Sequence, residues 1–292
     1  MSRSVIGAMP DGRLIVRTFS RYLHGDVRVL DPVTGRSTPL RSHEEDVESY
    51  STTAAAYGTR VVRLLENDEP GGWILEATDL RTGLIREVMN TWGAQVWNCG
   101  TGWEYPADLQ FHRGELYFSW CVTSAPGDVG VYRMGPGDTA PRLWLRGRYD
   151  IAWEDDTFLA RSPVLVPDPP DPGEFTGSPP SRYDADGARR GALDPASYIA
   201  RVDRENDRLE YGDGSVAGLS PRARDVVVSR HGRFAAWRED GTGWLLDART
   251  RVAVRLPGTV TGEVSISNAG YLQWRTADGY YVLDLAALGR GT

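Results

Sequence analysis

Apolar and polar positions in this chain alternate in short runs with a period near two, which predicts strands. At six places a turn containing Gly or Asp leads into such a run. The runs are Arg13-Leu14-Ile15-Val16-Arg17, Arg60-Val61-Val62-Arg63-Leu64, Glu115-Leu116-Tyr117-Phe118-Ser119, Thr157-Phe158-Leu159-Ala160-Arg161, Arg233-Phe234-Ala235-Ala236-Trp237 and Tyr271-Leu272-Gln273-Trp274-Arg275. A second strand follows each and usually ends in a tight turn that contains Asp. Asp31-Pro32-Val33-Thr34-Gly35, Asp79-Leu80-Arg81-Thr82-Gly83 and Asp247-Ala248-Arg249-Thr250 show it best, with Asp203 and Asp284 in weaker copies. An Asp there accepts backbone N–H bonds and the Gly supplies positive φ, so the repeated Asp is structural. No stretch carries a convincing amphipathic helix period.

Six copies give about 49 residues each, the size of a four-stranded antiparallel blade with its loops. The expectation is an all-β, six-bladed β-propeller, with blades near 1–46, 47–95, 96–147, 148–215, 216–258 and 259–292. The last blade shows strands near 263–267, 271–276 and 280–285 and lacks a fourth. Either it has three strands or an N-terminal strand from upstream sequence closes it, because residues 1–3 are too short to do so. Lost upstream sequence would take a signal peptide with it, which favours an exported protein over a cytoplasmic one.

Two stretches carry a family resemblance. Met9-Pro10-Asp11-Gly12-Arg13-Leu14-Ile15-Val16, then Asp26-Val27-Arg28-Val29-Leu30-Asp31-Pro32-Val33-Thr34-Gly35, resembles the WD40-like (PD40) repeat of bacterial TolB-type propellers. His231-Gly232-Arg233 and Asn268-Ala269-Gly270 look like degenerate copies of its first turn. The resemblance implies the propeller architecture and does not name a function, because such folds host many activities.

In a propeller, loops joining strands two and three and loops between blades leave on one face. That face receives Tyr22-Leu23-His24, the acidic run His43-Glu44-Glu45-Asp46-Val47-Glu48, Asn67-Asp68-Glu69 and 90–106. It also receives 163–195, whose eight prolines predict an extended lid or flap inserted in the single domain. Short turns, His112 and His231 fall on the other face. Long, varied loops are where function concentrates.

Composition removes many chemistries. The formal charge is −7 with no basic block, which argues against a nucleic-acid partner. Every one of the 33 basic residues is arginine. The absence of lysine excludes Schiff-base chemistry, a Walker A loop and a serine–lysine pair. No apolar run approaches the length of a membrane span. No zinc spacing and no GxSxG elbow occurs. Cys99 and Cys121 are the two cysteines, and either form a disulfide in an oxidising compartment or remain thiols.

Three tryptophans and a tyrosine, Trp92, Trp97, Trp103 and Tyr105, lie within fourteen residues alongside Glu104. Exposed, these rings would stack on a glycan or small molecule, or anchor a protein or peptide, with His24 and His43 nearby. Buried, they would fill the gap between blades. Trp73, Trp120, Trp237, Trp244 and Trp274 lie within strands and read as packing. Asp108, Asp150, Asp225 and Glu263 each begin a blade's first strand, and a ring of carboxylates suits calcium. The alternative is that they bond backbone and arginines of neighbouring strands. Asp184-Ala185-Asp186-Gly187 starts like a calcium loop and lacks its later ligands.

The expected function is non-catalytic binding by a monomer through the loop-rich aromatic and acidic face, without a cofactor. The other reading is an enzyme with a pocket at the channel mouth. It would be either calcium-dependent and hydrolase- or lactonase-like, or metal-free and guided by shape.

Overall fold

A computed structural model of the chain describes every residue except Met1, 20–24, 42–48, 68–72, 91–106, 124, 126, 155, 166–174, 178, 268 and 290–292. The described residues are almost entirely strands and turns, with three short 3-10 turns. Among them no helix is long and apolar enough to cross a membrane.

The strands fall into successive antiparallel sheets. The first holds β1 (Ser2–Ala8), β2 (Leu14–Phe19), β3 (Gly25–Leu30) and β4 (Ser37–Pro39) in that order. The second holds β5 (Ser49–Tyr57), β6 (Arg60–Asn67), β7 (Trp73–Asp79) and β8 (Leu84–Asn90). The third holds β9 (Ala107–His112), β10 (Glu115–Cys121), β11 (Val129–Met134) and β12 (Arg142–Arg146). In the fourth, β13 (Tyr149–Glu154) and β14 (Thr157–Arg161) continue into β17 (Ser181–Tyr183) and β18 (Arg189–Ala192). A separate hairpin of β15 (Pro163–Leu165) and β16 (Phe175–Gly177) is inserted between them. The fifth sheet has three strands, β19 (Ile199–Asp203), β20 (Arg208–Tyr211) and β21 (Val216–Gly218). The sixth has β22 (Arg224–Val228), β23 (Phe234–Glu239), β24 (Thr242–Asp247) and β25 (Val252–Arg255). The seventh has β26 (Val260–Ile266), β27 (Tyr271–Thr276) and β28 (Tyr280–Asp284).

The β-propeller therefore has seven blades, and the expected six is corrected. The stretch 148–215, expected as one blade, holds the whole fourth sheet, the inserted hairpin and the first two strands of the fifth sheet. Strands β17 and β18, which complete the fourth blade, lie inside the segment expected as a flap. The fifth blade has short strands rich in charge, and only alternate residues such as Ile199, Leu209 and Tyr211 are buried. Its apolar signal was too weak to register as a repeat.

The chain packs as two compact units, Met1–Ile151 with Ala160–Pro179, and Ala152–Leu159 with Pro180–Thr292. In the first, Ile6, Met9, Ile15 and Val27 of the first blade pack on Ala54 and Val61 of the second. The other side of that second blade, with Val62, Leu64 and Leu75, packs on Leu116, Phe118 and Trp120 of the third. Trp73 and Trp120 meet edge to face at 4.5 Å. Successive side chains of a strand point to opposite faces, so one blade serves two cores. In the second unit, Leu209 and Tyr211 pack with Ala235 and Leu246. Phe234, Leu245, Leu272 and Trp274 form its other main cluster.

Local chemistry fixes the turns. Asp31 Oδ1 accepts the N–H groups of Val33 and Thr34 at 2.9 and 3.2 Å, and its Oδ2 accepts the Thr34 hydroxyl. Asp79, Asp184, Asp213 and Asp247 take the N–H two residues on in the same way. The Asp184–Gly187 stretch is thus the β17–β18 turn, its carboxylate also paired with Arg190.

Candidate functional site

The aromatic and acidic ligand candidates Trp92, Trp97, Trp103, Glu104 and Tyr105, together with His24 and His43, lie outside the described residues. Their places in the chain are still informative. The segment 91–106 connects β8 to β9, blade two to blade three, while 42–48 connects blade one to blade two. Cys121, at the end of β10, is buried and disulfide-bonded. Cys99, the chain's other cysteine, lies outside the described residues.

The four carboxylate candidates are all described, two in each unit. Asp108 and Asp150 occupy the second position of β9 and of β13, and Asp225 occupies the second position of β22. All three have left-handed backbone, with φ of 64°, 51° and 55°. Asp tolerates this region better than most residues. The register breaks at the same points, between Tyr117 and Ser119 in the third blade and between Arg224 and Val227 in the sixth. These are β-bulges, which re-aim a side chain. Glu263 is the fourth residue of β26 and exposed. It does not share the position.

Each of the three Asp side chains finds a partner on the second strand of its blade. Asp108 Oδ2 accepts the Ser119 hydroxyl at 3.1 Å and the Ile151 N–H at 3.3 Å. Gln110 donates to the Ile151 carbonyl at 2.8 Å, so β9 grips both polar groups of one residue in the next blade. Asp150 pairs with Arg161 at 2.7 Å, and Asp225 pairs with Arg238 at 3.2 Å. Burial, with the Asp150 charge adding to it, pushes the Tyr149 phenol up to about 12. Among the described residues no group of three or more His, Cys, Asp or Glu side chains is gathered closely enough to hold a metal ion. The arrangement joins strands through carboxylates bonded to a hydroxyl and a backbone N–H or paired with arginine, and Asp108 also joins two blades. Sequence reasoning grouped Glu263 with these residues. The tripeptides Ala107-Asp108-Leu109, Tyr149-Asp150-Ile151 and Arg224-Asp225-Val226 carried the finer signal.

His231 is buried at φ 61°, ahead of Gly232 at φ 83°. In the second unit Arg249 reaches Glu154 at 2.7 Å, tying the sixth blade to the end of β13.

No protein family matches the sequence, and no curated protein does. Solved structures share the fold. A prolyl endopeptidase superposes with a TM-score of 0.51 at 12% identity, over 98% of this chain and 48% of that one. This chain is a β-propeller. It spans about half the length of that enzyme, and the likeness shows the fold alone. The propeller domain of the Trilobed protease from Pyrococcus furiosus is similar at TM-score 0.48 and 10% identity, over 92% of this chain and 88% of that one. TolB from Acinetobacter baumannii is similar at 0.41 and 14%, over 94% and 61%.

Proposed function

We propose that this propeller is a binding module that captures a protein, peptide or glycan at the loop-rich end of blades one to three. Trp92, Trp97, Trp103 and Tyr105 would supply the contact, with His24, His43 and Glu104 beside them. The observation that carries this reading is the loop distribution in the Met1–Ile151 unit. Connections at the strand one-to-two and three-to-four ends are short, such as 58–59, 80–83 and 113–114. Connections at the opposite ends include 40–48 and the sixteen residues of 91–106. Long loops on a rigid sheet scaffold are the usual seat of recognition. The disulfide at Cys121 supports the same reading, because a bond to Cys99 would anchor the aromatic segment to β10. It also supports an exported protein, since disulfides persist in oxidising compartments. The repeats at Met9–Val16 and Asp26–Gly35 support a TolB-type assignment.

Glycan and peptide arrays probed with the full chain test this reading. Trp97→Ala with Trp103→Ala is expected to weaken capture by about tenfold or more, the loss of about 1.4 kcal/mol of aromatic contact, with unchanged circular dichroism. Undiminished capture removes the aromatic segment from the site. In parallel, a chelator is expected to leave the melting temperature unchanged. Stoichiometric calcium with a chelator-sensitive melt would instead favour the enzyme reading at Asp108, Asp150, Asp225 or Glu263.

A further inference from the structure

The opposite, short-turn end of blade two carries two arginines, Arg60 and Arg86, that form no ion pair with an acid among the described residues. Arg60 stands opposite Asp79 and Arg86 opposite Ala77 in the β6–β7–β8 ladder. Paired residues share a face, as do alternate residues along one strand, so both guanidinium groups belong to the face that packs on blade three. There the Arg60 guanidinium carbon lies 5.9 Å from the centre of the Phe111 ring. Tyr57, half exposed, stacks on the same ring at 6.3 Å.

The acids nearby make hydrogen bonds within their own turns. Asp79 takes the Arg81 N–H at 2.8 Å, and Asp138 takes the Gly135 N–H at 2.7 Å. Asp138 lies near enough to favour the Arg60 charge, although burial and then the Arg86 charge outweigh it and hold Arg60 below its ordinary value. Both terminal nitrogens of Arg60 are shielded from solvent and have no hydrogen-bond acceptor among the described residues. Buried donors left unsatisfied cost roughly 1–3 kcal/mol each, more on a charged group, and such groups point to an acceptor from outside the chain. The Phe111 ring offers the guanidinium no hydrogen-bond acceptor oxygen, so its terminal N–H donors remain. Those donors match two oxygens of a carboxylate or phosphate.

We propose that Arg60 and Arg86 form a binding site for a small oxyanion, carboxylate or phosphate, at the short-turn end of blade two against Phe111. The oxyanion separates two guanidinium charges that otherwise repel, and Tyr57 flanks it with an exposed ring. A ligand that carries an apolar group next to its oxyanion fits best. The site is at the other end of the blade from the 91–106 segment and does not depend on the reading above.

Melting curves of the full chain in zwitterionic buffer, with inorganic phosphate or acetate titrated at constant ionic strength, test the site. A saturable rise in Tm is expected, following mass action. A rise with phosphate alone marks a phosphoryl ligand, a rise with acetate alone marks a carboxylate ligand, and a rise with both marks their shared chemistry. Arg60→Lys, which keeps the charge and loses the fork, and Arg86→Gln are each expected to weaken the response roughly tenfold. The proposal is overturned if neither ion acts beyond chloride, or if both variants respond as the parent chain does. Arg86 is half-buried, so if Arg60→Lys does not fold, the Arg86→Gln titration decides alone.

Discussion

At the scale of single residues, the fold depends on a few backbone positions that only particular residues accept. Gly232 has φ 83°, and a Cβ there would overlap the Ile199 carbonyl of the neighbouring blade. Gly214 has φ 81° in the turn between β20 and β21, with nothing within 4 Å of the position its Cβ would take. The two glycines separate strain from collision. Gly214→Ala is expected to cost about 1 kcal/mol, the penalty for left-handed backbone. Gly232→Ala adds a clash with main chain that cannot swing aside, and about 3 kcal/mol or more is expected. Urea midpoints of the two variants check the order, and equal losses would refute the contact with Ile199. His231-Gly232-Arg233 was recognisable in sequence as a degenerate turn. Its role as a close approach between blades was not, because Ile199 is remote in the chain.

At the scale of elements, neighbouring blades are joined by polar links placed inside apolar surroundings. Arg63 on β6 pairs with Glu76 on β7 at 2.8 Å, both side chains more than nine-tenths buried. The same guanidinium donates to the carbonyls of Leu40 and Arg41, just past β4. One arginine thus holds the end of blade one on blade two. Arg63→Met would strand the Glu76 carboxylate in the core and is expected to cost about 3–5 kcal/mol. Adding Glu76→Leu should restore much of that loss, since an apolar pair removes the uncompensated charge. Denaturation followed by tryptophan fluorescence reads both, and an additive double variant would show that the two residues do not interact. Asp108 also links two blades through the Ile151 N–H, while Asp150 and Asp225 pair with arginines inside their own blades. Their repetition was visible in sequence as a carboxylate near each strand start. Their partners were not visible, because Ser119, Arg161 and Arg238 are chosen by register and by the left-handed turn of the backbone.

At the scale of the whole molecule, the repeated Asp turns make stability depend on acid. Hydrogen bonds from the Thr34 hydroxyl and the Thr34 and Val33 N–H groups hold the Asp31 carboxyl below its ordinary 3.8. Asp79 is lowered first by the Arg81 N–H, Asp184 by the Ala188 N–H and Asp213 by the Ser215 hydroxyl. A carboxyl whose folded value lies below its unfolded value adds stability above the unfolded value, and that stability fades as pH falls through the folded one. The urea midpoint is therefore expected to hold down to about pH 4 and to fall below it. Asp31→Asn, Asp184→Asn and Asp213→Asn combined keep acceptors in the turns and should flatten the fall; an unchanged slope would place the acid sensitivity elsewhere. The sequence by itself determined the strand periodicity, the turn chemistry and the propeller class, because these rest on contacts within a few residues. The number of blades was decided only by tertiary structure. A short charged strand such as β20 is a strand because β19 and β21 pair with it, and β17 with β18 joins the fourth blade across an inserted hairpin. The setting of Arg60 was decided there too, since the ring beneath its guanidinium belongs to the next blade.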